Sequence, residues 1–276
     1  MKIEGIAAVT GAGQGIGLGV TEALARQGFD VLALVLEESM GEAVEKATIG
    51  AAGSVQVQVL DVTKMGDFAF PDNLQVVVNN AGIRRDYLPI EMSEPEEFEK
   101  VFAVNFFGLV EVTRRAIPVM RAAGRGVICN ISSGSLWSAI PFLSSYRTSK
   151  AAVSALCETL RIEMAPFGIR VVEIMPGATV SGINADSILR RVADAVKYPE
   201  YEKMAKLQFQ MNQQVPEATP ALDVGYAIVN AILDDGGPMR YATDPGSNEM
   251  LQRWRTSLDE DLMGEVLARY QEILPK

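Results

Sequence analysis

The sequence predicts an α/β protein built on a doubly wound parallel sheet. Three observations predict it. Short apolar runs of strand length alternate with longer helical patterns as far as about residue 180. The runs are dense in Val, Ile, Leu and Ala, as in strands buried on both faces. A glycine cluster separates the first run from the first helical pattern. Strand–helix alternation of this kind gives parallel strands whose crossovers cover both faces of one sheet.

The elements follow in order. Strands are predicted at Ile6–Thr10, Val31–Leu36, Val55–Leu60, Gln75–Asn79, Gly126–Ser132 and Ile169–Met175. Helices are predicted at Gly17–Gln27, Pro95–Ala123 and Ser145–Phe167. Gly28 and Gly168 stand where a left-handed glycine ends a helix. The stretch Met65–Asn73 contains Gly66 and Pro71 and leaves room for a turn or two of helix. The sheet face there is expected to be thinly covered, or protected by a second subunit. Residues 182–216 are polar with an apolar thread that includes Val192, Val196, Tyr201, Met204 and Leu207, and read as an inserted helical lid over the substrate. Ala221–Leu233 reads as a further helix, and Met250–Leu274 as one or two more. No repeat, low-complexity tract or Gly/Ser/Pro linker interrupts the chain, so a single domain is expected over residues 1–276.

Composition narrows the function. The apolar fraction of 48% and charged fraction of 22% are ordinary for a globular protein. The net charge of −10 repels nucleic acid and acidic membranes, so neither is expected as a partner. Cys129 and Cys157 lie in apolar stretches and suggest no disulfide framework; a reducing, cytoplasmic location is expected. The apolar run Ile6–Val9 is too short for a signal core or a membrane span. The chain has no histidine. That excludes histidine-activated serine or cysteine nucleophiles and removes the commonest transition-metal ligand. A metal site is not expected, and acid–base chemistry falls to Tyr, Lys, Asp, Glu or Cys.

Thr10-Gly11-Ala12-Gly13-Gln14-Gly15-Ile16-Gly17 joins the first strand to the first helix. Such a turn lets backbone approach a pyrophosphate, whose charge the helix N-terminus then holds. The spacing is Gly-x-x-x-Gly-x-Gly, and a plain tight turn is the alternative. Three further segments occupy telling places: Asn79-Asn80-Ala81-Gly82 after the fourth strand, Ile131-Ser132-Ser133 after the fifth, and Tyr146-Arg147-Thr148-Ser149-Lys150. Tyr146 and Lys150 are four apart and share one helix face. A free tyrosine has a pKa of about 10. An ammonium about 4 Å away contributes roughly 4 kcal/mol at an effective dielectric of about 20. That is at most about three pKa units, enough to bring the phenol toward a working pH.

Over residues 5–180, the order and spacing of these motifs resemble the short-chain dehydrogenase/reductase family. The resemblance implies a Rossmann-like fold, a nicotinamide cofactor and a homodimer or homotetramer acting on a small-molecule substrate. It implies that Asn105, Ser133, Tyr146 and Lys150 are catalytic. Ser133 lies thirteen residues before Tyr146, and Ser132 is its off-by-one competitor. Asn105 would support a water relay to the lysine, which also binds the nicotinamide ribose. Cofactor contacts are implied at Gly11, Gln14, Gly15, Ile16, Gly17, Asp61, Val62, Asn79, Ala81, Gly82, Tyr146, Lys150, Pro176, Gly177, Thr179 and Ser181.

The chain departs from the family pattern at the second strand. NAD-preferring members carry an acid where this chain has Val35, and NADP-preferring members a basic residue where it has Leu36 or Gln14. Glu37 and Glu38 follow closely and either disfavour a 2′-phosphate, which tips the expectation to NAD over NADP, or simply form a solvated helix start. Trp137, Leu136, Phe142 and Met175 are candidates for an apolar substrate pocket, each with a competing place in the core. A hydrophobic or aromatic secondary alcohol and its ketone are the expected substrate pair. Arg84 and Arg85 are read as solvated, with binding of an anionic group as the alternative. Arg147 stands where a small residue is common and is expected to reach solvent or a carboxylate. Adjacent Phe106 and Phe107 cannot both face one stripe, which suggests a second buried surface. Two other functions compete with the redox reading: a catalytically silent, regulatory dinucleotide-binding protein, and a related epimerase or dehydratase. The first tends to lose the tyrosine or lysine; the second usually needs a larger C-terminal domain.

Overall fold

Seven strands form one parallel sheet in the computed structural model, which describes residues 5–85, 87–180, 194–213 and 218–274. They are β1 (Ile6–Thr10), β2 (Val31–Val35), β3 (Val55–Val59), β4 (Leu74–Asn79), β5 (Gly126–Ile131), β6 (Ile169–Ile174) and β7 (Arg240–Tyr241). Their order is β3-β2-β1-β4-β5-β6-β7. The first six match the apolar runs to within a residue or two at each end. Every residue of β2, β4 and β5 is buried, which is why those runs show no polar alternation. β7 is two residues long and leaves no apolar run to detect. It is held by the Met175 N–H donating to Tyr241 O at 2.8 Å and the Glu173 N–H to Met239 O at 2.7 Å.

Helices cover both faces. They are α1 (Gly15–Arg26), α2 (Gly41–Ala47), α3 (Pro95–Phe102), α4 (Leu109–Ala123), α5 (Ser144–Met164), α6 (Glu202–Gln213), α7 (Ala221–Leu233), α8 (Pro245–Thr256) and α9 (Asp259–Ala268). On one face, α1 and α7 bury Val20, Leu24, Ile228 and Ile232 against Val9, Val78 and Ile174 of the sheet. A Cβ on Gly19 would stand 2.0 Å from Ala221 O, and one on Gly225 would stand 2.2 Å from Gly19 O. The two helices therefore meet backbone to backbone. On the other face, α4 and α5 bury Val112, Val153 and Leu160 against Leu34, Val77 and Ile128. Each such aliphatic side chain contributes roughly 1.5–3 kcal/mol by leaving water.

The helical pattern Pro95–Ala123 is not one regular helix. Between α3 and α4 the backbone widens into a π-helical stretch, Ala103–Gly108, which contains Asn105. Wide turns of this kind are frequent at functional sites. The stretch Met65–Asn73 forms turns without a helix. Phe68 and Phe70 meet edge to face at 4.9 Å, and Phe70 and Met65 are buried in the α4–α5 core. Arg115 Nη1 donates to Phe68 O at 2.5 Å and ties this segment to α4.

A polar row crosses the sheet beneath its carboxyl end. The register pairs Asn79 with Asn130, Asn130 with Glu173, and Glu173 with Arg240. Asn79 donates to Asn130 Oδ1 (2.8 Å) and to Thr113 of α4 (3.0 Å), while Asn130 donates to Cys157 Sγ of α5 (3.2 Å). Glu173, fully buried, accepts from Ser132 (2.7 Å), Ser154 of α5 (3.1 Å) and Arg240 (2.9 Å). The buried carboxylate is thus both paired and hydrogen-bonded, the condition under which a buried charge is tolerated.

Of the expected lid, α6 and the short turn Ala195–Lys197 are described, and residues 181–193 and 214–217 lie outside the described residues. Tyr201 meets Phe142 edge to face at 6.1 Å, which joins this segment to the loop before α5. α8 places Leu251 against Trp137 and Met175.

Candidate active site

A cleft of about 260 Å³ opens at the carboxyl ends of β1, β4 and β5. The strand order reverses between β1 and β4, where open α/β sheets leave room for a ligand.

One end of the cleft is the glycine loop. Gly11, Gln14, Gly15 and Ile16 line it, and Gly11 and Gly15 have φ of +63° and +52°. Gly17 does not line it. A Cβ there would stand 2.1 Å from Gly11 O and 2.4 Å from Asn80 Nδ2, so this glycine lets helix and loop touch. No side-chain hydrogen bond from Gln14 caps α1, and its first turn holds no acid. The exposed helix N-terminus fits an anionic pyrophosphate.

The middle of the cleft is lined by Asp61, Val62, Ala81 and Gly82. Asp61 also accepts from the Thr63 N–H (2.9 Å) and hydroxyl (2.7 Å). Slight burial works against its carboxylate, but the Thr63 bonds and Lys64 outweigh it and hold it below the usual range. Asn79 does not reach the cleft; it is spent in the polar row. Asn80 stands in its place, donating from Nδ2 to Thr10 O (2.9 Å) and Gly11 O (3.2 Å). Strand alternation is the signal for that swap: Asn79 points into the α4–α5 layer, and the chain leaves the sheet one residue later.

At the other end, Ser133, Tyr146 and Lys150 come together with Pro176, Gly177 and Thr179. Ser181 lies outside the described residues. Ser133 lines the cleft beside Tyr146, whose pKa it helps to lower, and accepts from the Ser135 N–H at 3.1 Å. Lys150 Nζ donates to Ile131 O at 2.8 Å and stands 5.9 Å from the Tyr146 ring centroid. Burial works to raise the Tyr146 pKa, but Lys150, Arg84 and Ser133 outweigh it, and the phenol titrates below its ordinary value. Burial lowers the Lys150 pKa, with Tyr146 and Cys157 opposing it.

Asn105 is fully buried and stands behind the cleft wall. Its Oδ1 accepts from the Ile83 N–H (2.8 Å), and its Nδ2 donates to Ile83 O (2.9 Å) and Ser149 Oγ (3.0 Å). It ties the loop after β4 to α5, one residue before Lys150.

Several expectations are corrected. Trp137 and Met175 belong to a core cluster with Leu251 and Ala242, with Leu136 packed against it, and Phe142 belongs to one with Tyr87 and Leu143; none of the four lines the cleft. Arg147 donates from Nε to Ser135 O at 2.7 Å, clamping the loop after β5. Arg84 is half-buried. It lines the cleft with its guanidinium carbon 5.3 Å from the Tyr146 ring centroid. Arg85 is exposed and pairs with Glu97 at 2.9 Å.

The model of the short chain dehydrogenase family matches residues 5–190. This chain belongs to that family. An uncharacterized oxidoreductase of Thermotoga maritima is 32% identical over 247 residues, covering 87% of this chain and 94% of that protein. Estradiol 17-beta-dehydrogenase 2 of Rattus norvegicus is 31% identical, with 80% of this chain and 64% of the rat enzyme covered. This chain therefore spans less than two thirds of the rat enzyme's length. A short-chain dehydrogenase structure from Streptomyces avermitilis shares the fold over the whole of both chains, with a TM-score of 0.74 and 24% identity.

Proposed function

We propose that this short-chain dehydrogenase oxidises a hydrophobic or aromatic secondary alcohol, or reduces its ketone, with Tyr146 as the general acid–base. The observation that carries the reading is the Ser133–Tyr146–Lys150 group at one end of a cleft whose other end is an uncapped helix N-terminus. The uncapped α1, with Gly11, Gln14, Gly15 and Ile16, would hold the pyrophosphate of a dinucleotide, with Asp61 and Val62 on the adenine side. Lys150, Pro176, Gly177 and Thr179 would hold the nicotinamide end. When bound, the nicotinamide supplies hydride acceptance or donation at the substrate carbon.

The protein's part is to orient the substrate oxygen and move its proton. Ser133 donates a hydrogen bond to that oxygen and keeps it against Tyr146. In oxidation the Tyr146 phenolate takes the hydroxyl proton as the substrate carbon gives up its hydride; in reduction the phenol returns the proton. Lys150 stabilises the phenolate, and Asn105 fixes α5 against the loop after β4. α6, preceded by Tyr201 against the loop before α5, would cover the substrate.

NAD is the proposed cofactor. Leu36, exposed at the rim, offers no cation to a 2′-phosphate, and Glu37 and Glu38 are exposed beside it. The name of the rat relative supports a bulky, hydrophobic alcohol. A homodimer or homotetramer is supported by exposed Phe107 and Ile162, 61% and 76% accessible on the outer helices. Two buried free cysteines accord with a reducing cytoplasm. A screen of hydrophobic alcohols and ketones, read by nicotinamide absorbance, tests the proposal. Turnover restricted to small polar polyols would overturn the substrate class, and no turnover with any pair would favour the silent binding protein.

A further inference from the structure

Among the described residues, the cation nearest the Tyr146 ring is not the lysine of the Tyr-x-x-x-Lys motif. The Arg84 guanidinium carbon stands 5.3 Å from the ring centroid, against 5.9 Å for Lys150 Nζ. Arg84 also lies 5.9 Å from the centroid of Tyr87, which is buried. Two aromatic rings thus hold the guanidinium at the cleft wall, and a planar delocalised cation suits that place better than an ammonium does. The backbone carrying it is fixed as well, because Asn105 bonds both the N–H and the carbonyl of Ile83.

We propose that Arg84 is a second cation tuning Tyr146, which it shares with Lys150, and that it extends the reaction toward lower pH. The proposal rests on the reading of Tyr146 as the acid–base. The other described groups facing the ring are neutral or engaged elsewhere. Ser133 is a neutral donor. Cys157, behind Lys150, is pushed up to about 12 by burial, with Glu173 adding to the rise, and is neutral. The segment 194–213 presents Val196, Met204 and Tyr201. Tyr201 in turn donates its hydroxyl to Glu91, and Arg85 takes Glu97. Both carboxylates are therefore engaged away from the ring. Arg84 acts through Tyr146 and is a positioning residue, not a catalytic one.

Tyrosinate ultraviolet absorbance, titrated in Arg84→Met, in Arg84→Lys and in the unaltered protein, tests this. Each is measured against the same protein carrying Tyr146→Phe, which isolates Tyr146 among the seven tyrosines. Arg84→Met is expected to move the Tyr146 transition up by about one pH unit, and Arg84→Lys to recover part of the shift. The acidic limb of the alcohol-oxidation profile should move by the same amount, with turnover about tenfold down below the transition and restored above it. An unmoved absorbance transition would overturn the proposal, as would an activity loss equal at every pH. If Tyr146→Phe stays active, the acid–base reading falls, while the absorbance titration still decides what Arg84 does to the phenol.

Discussion

Ser132 donates its hydroxyl to Glu173 across 2.7 Å, whereas its neighbour Ser133 lines the cleft with Tyr146. One serine is bonded into the polar row under the sheet; the other is the one proposed to hold the substrate oxygen. Ser133→Ala is therefore expected to lower turnover about 10²-fold or more, with the fold intact. Ser132→Ala should keep most of its turnover and lose about 1–3 kcal/mol of stability, since Glu173 loses a donor. Steady-state rates and urea denaturation of the two variants decide the point. The reverse order would assign the chemistry to Ser132.

The Glu173–Arg240 pair makes a second, purely structural prediction. Arg240 reaches Glu173 at 2.9 Å from β7 and also bonds Ser154 at 3.1 Å. Arg240→Met leaves a fully buried carboxylate without its cation and should cost about 3–5 kcal/mol in urea denaturation. A loss below about 1 kcal/mol would mean that the hydroxyls alone satisfy Glu173.

The glycine loop makes a third. Gly17→Ala pushes a methyl onto the Gly11 carbonyl, 2.1 Å from where the Cβ would stand. It should destabilise the protein by about 1–3 kcal/mol and weaken nucleotide binding at least tenfold. Calorimetric titration with the dinucleotide reads the second effect. Unchanged affinity would show that the loop does not hold the pyrophosphate.

Cofactor preference is tested by fluorescence titration with NADH and NADPH. The unaltered protein should bind NADH more tightly. Leu36→Arg, which sets a cation at the cleft rim, should improve NADPH binding by about tenfold. Tighter NADPH binding by the unaltered protein would refute the choice of NAD.

Much of this was legible in the sequence, for physical reasons that vary by residue. Strands buried on both faces announce themselves as apolar runs, so β1 to β6 were readable; β7, with two residues, was not. The span Pro95–Ala123 read as one helix because hydrophobic periodicity does not register a π-helical widening, so the break at Ala103–Gly108 was invisible. Tyr146 and Lys150 were legible because one helix fixes their spacing. Arg84 was not, because its position depends on an irregular loop and on Tyr87 and Tyr146 meeting from different elements. Asn79 and Asn80 were exchanged because the motif names both and only strand alternation separates them. Trp137, Met175 and Phe142 are large and apolar, and composition does not distinguish a pocket wall from core.

In the proposed mechanism Tyr146 moves the proton while the rest of the cleft holds the cofactor. The direct measurement is turnover and dinucleotide affinity of Tyr146→Phe, made side by side on a responsive alcohol or ketone. Turnover should fall at least 10²-fold with dinucleotide affinity nearly unchanged. Turnover kept at more than a few tens of per cent would contradict it.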